Sequence, residues 1–495
     1  MDHNINRPTA ELPRGFDDIS GRRLALREWL IGKLAEVYAR YGFERLSTPC
    51  VEYADALGKF LPDKDRPHDG VFFFRDGAED EKAPWLVLRY DLTAPLARYV
   101  AENINRIALP YRRFQSGPVF RNEKPGPGRF REFIQFDADT VGTASMAADA
   151  EFCMLVSDAL NAIGLKPGEH IVKVNNRKIL NGVLELIGIP GDASGDEQRG
   201  TVLRAMDKLD RLGPGGVALL LGKGRKDESG DFTPGAGLDR AGIDRVLGFL
   251  GAGTSRRVDT CAALGRLVAG SKAGEEGVAE LAEIDAVLSA AGFDDDRVAV
   301  DPSVVRGLAY YTGPVFEALL TFETMDEEGR PIRFGSVGGG GRYDDLVERF
   351  LGRKVPATGV SIGVSRLVDV LEARGVMPEG VDRAPIVVLV LDRAALGGYQ
   401  AMVSELRNAG FAAELYLGES GMRAQLKYAD RRRAPIAIIE GSDERARGEV
   451  TIRDLALGAQ GAADAKTKED WTARAQKAVK RSELVASVRE ILRPK

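Results

Sequence analysis

The stretch GPVFRNEKPGPGRFREFIQFDADTVG, residues 117–142, constrains the fold most. Proline and glycine cluster at 125–128, and the runs on either side are aromatic and β-branched, which predicts an antiparallel hairpin. Successive side chains of a strand point to opposite faces. In the returning strand Glu132, Ile134, Phe136, Ala138 and Thr140 share one face, which is predicted to pack. Arg131, Phe133, Gln135, Asp137 and Asp139 share the other, and in the outgoing strand Val119, Arg121 and Glu123 lie together. The hairpin therefore offers cations near its tip and acceptors lower down. That suits a zwitterionic or phosphorylated ligand, since arginine binds phosphate in bidentate geometry. Taken alone, the pattern also fits a surface hairpin with solvated charges.

Three other stretches tilt the balance toward a ligand. In SVVRGLAYYTGPVFE (303–317), Arg306 precedes a glycine, and Tyr310 and Tyr311 lead into a strand on opposite faces, so the stretch fits either a structural turn with core tyrosines, the reading it favours by itself, or one tyrosine lining a site. In GSVGGGGRYDDL, four successive glycines (338–341) remove every Cβ from a strand, which predicts close approach by a ligand or another backbone. In TGVSIGVSRLVDVLEARG, a glycine-spaced strand runs into a helix with Arg366 in its first turn, where charge and helix N-terminus together favour a phosphate.

A chain of 495 residues exceeds one ordinary core and predicts several domains. A net charge of -5 argues against non-specific coating of nucleic acid but allows a local basic surface. The three cysteines, Cys50, Cys153 and Cys261, are far apart, form no CxxC pair and fit a reducing compartment, so no metal site is expected. The polar N-terminus has no secretory h-region, and the longest apolar runs, such as IVVLVL at 386–391, are strand-sized, which predicts a cytoplasmic protein without membrane spans. His3, His68 and His170 lie near no nucleophile motif, and there is no P-loop, which argues against a Ser-His-Asp mechanism and a P-loop ATPase.

Periodicity predicts a helix over 20–41, a strand in YGFERLSTPC ending at Pro49, and a hairpin in VFFFRDGAEDEKAPWLVLRYDLT. A helix follows, N-capped by Thr93, and another covers 147–165. From 176 to 298 helix-like segments alternate with glycine-rich joints, an inserted helical domain. Strand-and-glycine texture returns over 299–376. Beyond a linker near 376–384, residues 384–495 alternate strand and helix, which predicts a small α/β domain with a largely parallel sheet, a loop at 458–470 and a last helix at 482–493.

On these motifs the chain resembles the class II aminoacyl-tRNA synthetases, specifically the histidyl branch. YGFERLSTPCVE is similar to motif 1, the hairpin to motif 2 and TGVSIGVSRL to motif 3, while RGLAYYTGPVFE and GGGGRYDDL resemble the two histidine signatures. The resemblance implies an α+β fold: an antiparallel sheet flanked by helices (1–175 and 299–376), a helical insertion (176–298) and an anticodon-binding α/β domain (384–495). It implies ATP-dependent ligation of L-histidine to its tRNA through a histidyl-adenylate, with Mg2+ at the ATP and a homodimer built on motif 1. Arg121 would hold the α-phosphate, Glu123 the adenine edge, and Arg129 and Arg366 the outer phosphates. Arg306 would reach the reacting carboxylate and α-phosphate. Asp91 and Thr93 would bind the α-amino group and Gln135 would sit by the carboxylate. Asp139 and Tyr311 would meet the imidazole nitrogens, with Tyr310 beside them. Lys124 stands in the motif 2 loop, where the tRNA acceptor end is read; in the C-terminal domain the most basic stretch, QLKYADRRRAPI with Arg431 and Arg432, fits a tRNA-contacting surface and a solvated helix end equally. The chain departs from the family at Ser365, where Glu is frequent, at Lys124 and Gly126, where many bacterial members have Arg and Gln, and in RYDLTAP. A second reading is a non-catalytic, histidine-sensing regulatory paralogue of ATP phosphoribosyltransferase. A third is a class II enzyme for proline or threonine, against which the two histidine signatures speak.

Overall fold

The computed structural model describes residues 9–57, 70–75, 77, 83–126, 129–192, 194–226, 230–305, 311–325, 331–332, 334–378, 381, 384–455 and 475–493. Arg306, Tyr310, the acidic turn at 78–82 and the loop expected at 458–470 lie outside the described residues. The chain divides into two units, Met1–Met377 and Pro378–Lys495.

The first unit is organised by an eight-stranded sheet. Its strands are β1 (Glu44–Arg45), β2 (Tyr111–Phe120), β3 (Glu132–Val141), β4 (His170–Asn176), β5 (Val298–Val300), β6 (Pro314–Leu320), β7 (Ser336–Arg342) and β8 (Ala357–Gly363), in the spatial order β1-β2-β3-β8-β7-β6-β4-β5. The six inner strands run antiparallel, and the outer β1 and β5 pair parallel with their neighbours. The hairpin expected at 117–142 is β2–β3, ten residues a side.

One face of this sheet carries the core. Helix α1 (Gly21–Arg40) buries Leu26, Leu30, Leu34, Val37 and Tyr38. The Tyr38 ring meets Phe136 edge-on at 4.8 Å, and Phe136 stacks on Phe114 of β2 at 5.6 Å. Arg23 of α1 pairs with Asp369 and Glu372 on the helix that follows β8.

Two local expectations need correction. The strand predicted to reach Pro49 pairs only at Glu44–Arg45. Further on, buried Arg89 donates from Nη1 to Thr48 O (2.8 Å) and Pro49 O (3.4 Å). Val51–Tyr53 instead joins a separate three-stranded sheet with Trp85–Leu88 and Phe73–Arg75. Thr93 is not the cap of helix α2 (Thr93–Asn103) but its first residue. Asp91 supplies the cap, its Oδ1 accepting from the N–H groups of Thr93 (3.0 Å) and Ala94 (2.8 Å).

Helix α3 (Met146–Ala162) packs beside α1. Between β4 and β5 run α4 (Arg177–Leu186), α5 (Asp196–Met206), α6 (Leu209–Leu221), α7 (Arg240–Leu250), α8 (Arg257–Val268) and α9 (Lys272–Ala290), with a small hairpin of Gly224–Lys226 and Phe232–Pro234. Glycines let α4 and α9 touch closely: a Cβ on Gly182 would lie 2.7 Å from Gly274 Cα. Helix α10 (Val364–Ala373) follows β8 directly.

The second unit holds a five-stranded sheet of β9 (Ile386–Val388), β10 (Ala413–Leu415), β11 (Ile436–Ile439), β12 (Glu449–Asp454) and β13 (Gln476–Lys480), ordered β10-β9-β11-β12-β13. Here the largely parallel sheet of the sequence reading is corrected to a mixed one. β10, β9 and β11 are parallel and are linked through helices α11 (Leu396–Asn408) and α12 (Met422–Arg431). β12 and β13 run antiparallel. A parallel return needs a crossover of about a dozen residues or more. The 440–448 connection, with its short helix Ser442–Arg447, is too brief for that.

Candidate active site

The face of the large sheet opposite α1 carries three polar rows, set by strand register. Arg113, Asp139, Gly359 and Gly341 stand side by side on β2, β3, β8 and β7. One step along come Gln115, Asp137, Ser361 and Gly339, and then Gly117, Gln135 and Gly363. Asp137 and Asp139 of β3 are therefore not solvated: each is 2% exposed.

In the first row Arg113, fully buried, pairs with Asp139 at 2.6 Å and donates to Leu92 O at 3.0 Å. The Tyr343 hydroxyl donates to the other oxygen of Asp139. Burial pushes the Asp139 pKa up, while Arg113 and the Tyr343 hydroxyl pull it down. The glycines make room for this arrangement. A Cβ on Gly359 would lie 2.1 Å from Asp139 Oδ1, and one on Gly341 2.9 Å from the Tyr311 ring. Asp139 and Tyr311, both expected at the imidazole, thus flank two neighbouring glycines.

In the second row burial drives the Asp137 pKa up to about 7, with Arg113 opposing and the Asp139 charge adding to the rise. A raised carboxyl pKa contributes stability that is complete below the unfolded value and is lost as pH rises through the folded value. Asp137→Asn is therefore expected to raise the Tm of the free protein at about pH 8, with the gain shrinking toward about pH 5. Differential scanning calorimetry of both proteins across that range checks it. A gain that grows with acidity would refute the buried, ionised Asp137.

In the third row Gln135 Nε2 donates to Ser361 Oγ at 2.8 Å. Its Oε1 is shielded and has no hydrogen-bond partner among the described residues. Asp91 reaches the same region from the start of α2, its charge adding to the pKa rise of both Asp137 and Asp139.

Toward the hairpin tip, the Arg121 guanidinium lies over the Tyr90 ring at 4.4 Å and the Phe133 ring at 5.1 Å. Its Nε is buried without a partner among the described residues. Glu123 accepts from the Tyr90 hydroxyl at 3.1 Å, and Arg131 Nε donates to Glu123 O at 3.0 Å. Arg129 is 66% exposed and 3.7 Å from Glu123, and Lys124 is exposed. Arg366, exposed in the first turn of α10, donates to Ser336 O beside a hollow of about 230 Å³ that Lys173 and Glu317 also line. In the second unit Arg432 is clamped by Glu414 through two 3.0 Å bonds, whereas Arg431 and Lys427 are exposed at the end of α12.

Sequence reasoning missed Arg113, Tyr343 and Ser361 as members of this site. Counting outward from the hairpin loop would have put Arg113 opposite Asp139. Tyr343 and Ser361 sat in stretches read for their glycines alone, and nothing local linked them to β3.

Comparison with known proteins follows this geometry. Residues 15–367 match the family model described as histidyl-tRNA synthetase, and residues 385–491 match the anticodon binding domain model. The histidine–tRNA ligase of Methylocella silvestris is 57% identical over 98% of this chain and 97% of its own. That of Cereibacter sphaeroides is 56% identical over 99% of each. Among solved structures, histidyl-tRNA synthetase from Nostoc sp. PCC 7120 superposes with a TM-score of 0.73 at 26% identity, covering 98% of this chain and 100% of that one.

Proposed function

The chain belongs to the histidyl-tRNA synthetase family, and from that premise we propose how its residues divide the work. The enzyme is a histidine–tRNA ligase that uses ATP to join histidine to tRNA. The regulatory paralogue is not favoured, since relatives matching the full length are ligases and the anticodon-binding region is present.

One observation carries the assignment of the pocket: the buried Asp139 beside Gly359, Gly341 and Tyr311. An imidazole buried there needs partners for both nitrogens, because an unsatisfied one costs about 1–3 kcal/mol. Asp139 accepts from one N–H, and Tyr311 meets the other nitrogen, with a histidine-binding role for Tyr310 as the family resemblance implies. Asp91 and Thr93 take the α-ammonium group, and Asp91 Oδ2 is the oxygen left over from capping α2. Arg121 holds the α-phosphate, Glu123 the adenine edge, and Arg129 and Arg366 the outer phosphates.

In the first step a histidine carboxylate oxygen attacks the α-phosphorus, and the bond to the bridging oxygen of pyrophosphate breaks. This in-line displacement needs positioning and charge neutralisation more than a general base. Arg306 is assigned to the carboxylate and α-phosphate, and Mg2+, when bound with the nucleotide, would neutralise phosphate charge. In the second step a 3′-terminal ribose hydroxyl of tRNA attacks the acyl carbon and AMP departs. Residues 1–175 and 299–376 form the catalytic body, 176–298 the insertion and 384–495 the anticodon reader.

A homodimer is supported by the three-stranded sheet, which exposes Tyr53, Phe73, Phe74 and Trp85, each about 40–58% accessible. Light scattering would give twice the chain mass, and a monomer at micromolar concentration would overturn it. No helix among the described residues is long and apolar enough to cross a membrane. A cytoplasmic location follows from substrates that are found there.

Amino-acid-dependent ATP–pyrophosphate exchange, run with each of the twenty amino acids, tests the reading. Exchange with histidine alone is expected, and no exchange would overturn it. At the second unit, Arg431→Glu is expected to weaken tRNA binding and to lower the salt slope by about 1. Exchange without tRNA stays at the parent rate, and unaltered tRNA affinity would remove Arg431 from the interface.

A further inference from the structure

Residues 13–19, just ahead of α1, have no part in the division of labour above, yet they hold the nucleotide end of the β2–β3 hairpin. Regular pairing of the two strands stops at Phe120 and Glu132, one step short of Arg121. An antiparallel hydrogen-bonded pair exchanges both of its N–H···O bonds. At the next level Arg121 N–H donates to Arg131 O at 2.8 Å, while the Arg131 N–H goes to Gly15 O at 2.7 Å. Arg131 passes this hold on, its Nε donating to Glu123 O at 3.0 Å. The residue that Gly15 fixes is therefore bonded to both Arg121 and Glu123. A second contact comes from the next residue, whose Phe16 ring lies 6.0 Å from the Phe72 ring. Two residues before Phe72, Gly70 O accepts from the N–H of Asn122, the residue between Arg121 and Glu123, at 2.8 Å.

We propose that residues 13–19 are a strap that fixes Arg121 and Glu123 relative to each other, with Gly15 and Phe16 as positioning residues for ATP. The strap supplies order at the level where the strand ladder has already stopped. Its fit at Gly15 is close. The φ there is +85°, which glycine alone adopts freely. A Cβ at Gly15 would lie 2.9 Å from Arg131 Cγ and 3.1 Å from Pro125 Cβ, so any side chain pushes the strap off the hairpin. Beyond Phe16 the strap lines a hollow of about 230 Å³ together with Arg23 and Arg27 of α1 and Glu132 and Ile134 of β3. That end lies on the α1 side of the sheet, opposite the polar rows, so the strap acts through Arg131 rather than by touching substrate.

The proposal rests on the assignment of Arg121 and Glu123 to ATP, and its test keeps the two apart. Histidine-dependent ATP–pyrophosphate exchange of the full chain is compared with that of Gly15→Ala, Phe16→Ala and Phe16→Tyr. AMP, which keeps the adenine and the α-phosphate, serves as a competitive probe. In Gly15→Ala and Phe16→Ala the ATP KM and the AMP Ki are expected to rise together by about 3- to 10-fold, the worth of one ordinary hydrogen bond. The histidine KM at saturating ATP is expected to stay within about twofold of the parent, as when ground-state binding of one substrate alone is lost. Phe16→Tyr keeps the ring contact and should restore the parent ATP KM. An unchanged ATP KM in both Gly15→Ala and Phe16→Ala would overturn the strap. An equal rise in the ATP and histidine KM would mean a loosened fold and overturn it too. Should Gly15→Ala fail to fold, Phe16→Ala and its tyrosine rescue carry the same test. Strap variants that bind ATP normally while Arg121→Ala loses exchange would sink the strap and spare the ATP assignment. An Arg121→Ala protein that exchanges like its parent would remove that assignment, and the strap's role with it.

Discussion

Arg121→Ala is expected to lower histidine-dependent ATP–pyrophosphate exchange by about 10²–10³-fold, the usual cost of removing one donor aimed at developing charge. The guanidinium lies over the Tyr90 and Phe133 rings, and its buried Nε lacks a partner among the described residues. It is thus pre-oriented for a phosphate, with little rearrangement left to do on binding. Arg121→Lys should recover little, since an ammonium group neither stacks in that slot nor forks to two oxygens. Because the side chain sits at the pocket edge, the Tm should move little. Exchange within threefold of the parent, measured at saturating histidine and ATP, would rule out Arg121 as the α-phosphate ligand.

The second large effect is on stability. Arg113→Met leaves Asp139 buried without its cation, and breaking a buried pair from one side typically costs about 3–5 kcal/mol. The loss should be greatest at high pH and ease as the solution is acidified, because a protonated Asp139 no longer carries an unpaired charge. Replacing both partners, Arg113→Met with Asp139→Leu, should recover most of the stability, since an apolar pair of similar volume is often neutral or better. The double variant should still fail to exchange with histidine, as the acceptor for the imidazole N–H has gone. Thermal melts at two pH values, with exchange assays on the same samples, separate the two effects. An Arg113→Met protein as stable as its parent would show that the pair is not the clamp described.

Much of this was legible in advance, for reasons tied to particular residues. The period-2 alternation of 131–140 placed Gln135, Asp137 and Asp139 on one face, and β3 keeps them there. The four glycines of β7 foretold close approach, and a Cβ on Gly340 would lie 2.0 Å from Gly359 O. Where local reading failed at the start of α2, another side chain had intervened. Asp91 displaced Thr93 as the cap by reaching two N–H groups first.

By itself the sequence determined the hairpin, the glycine strand, the strand-to-helix turn at Arg366 and the family those motifs resemble. Each depends on spacing within a few residues, which steric and hydrogen-bonding rules read directly. Only the tertiary structure decided what the polar residues do. Two carboxylates on a half-exposed strand would stay solvated. The same two, roofed by neighbouring strands and with Asp139 set beside Arg113 and Tyr343 from two other segments, are buried, one of them paired with a cation. Desolvation and partner geometry are properties of the assembled sheet, and no stretch of the chain carries them alone.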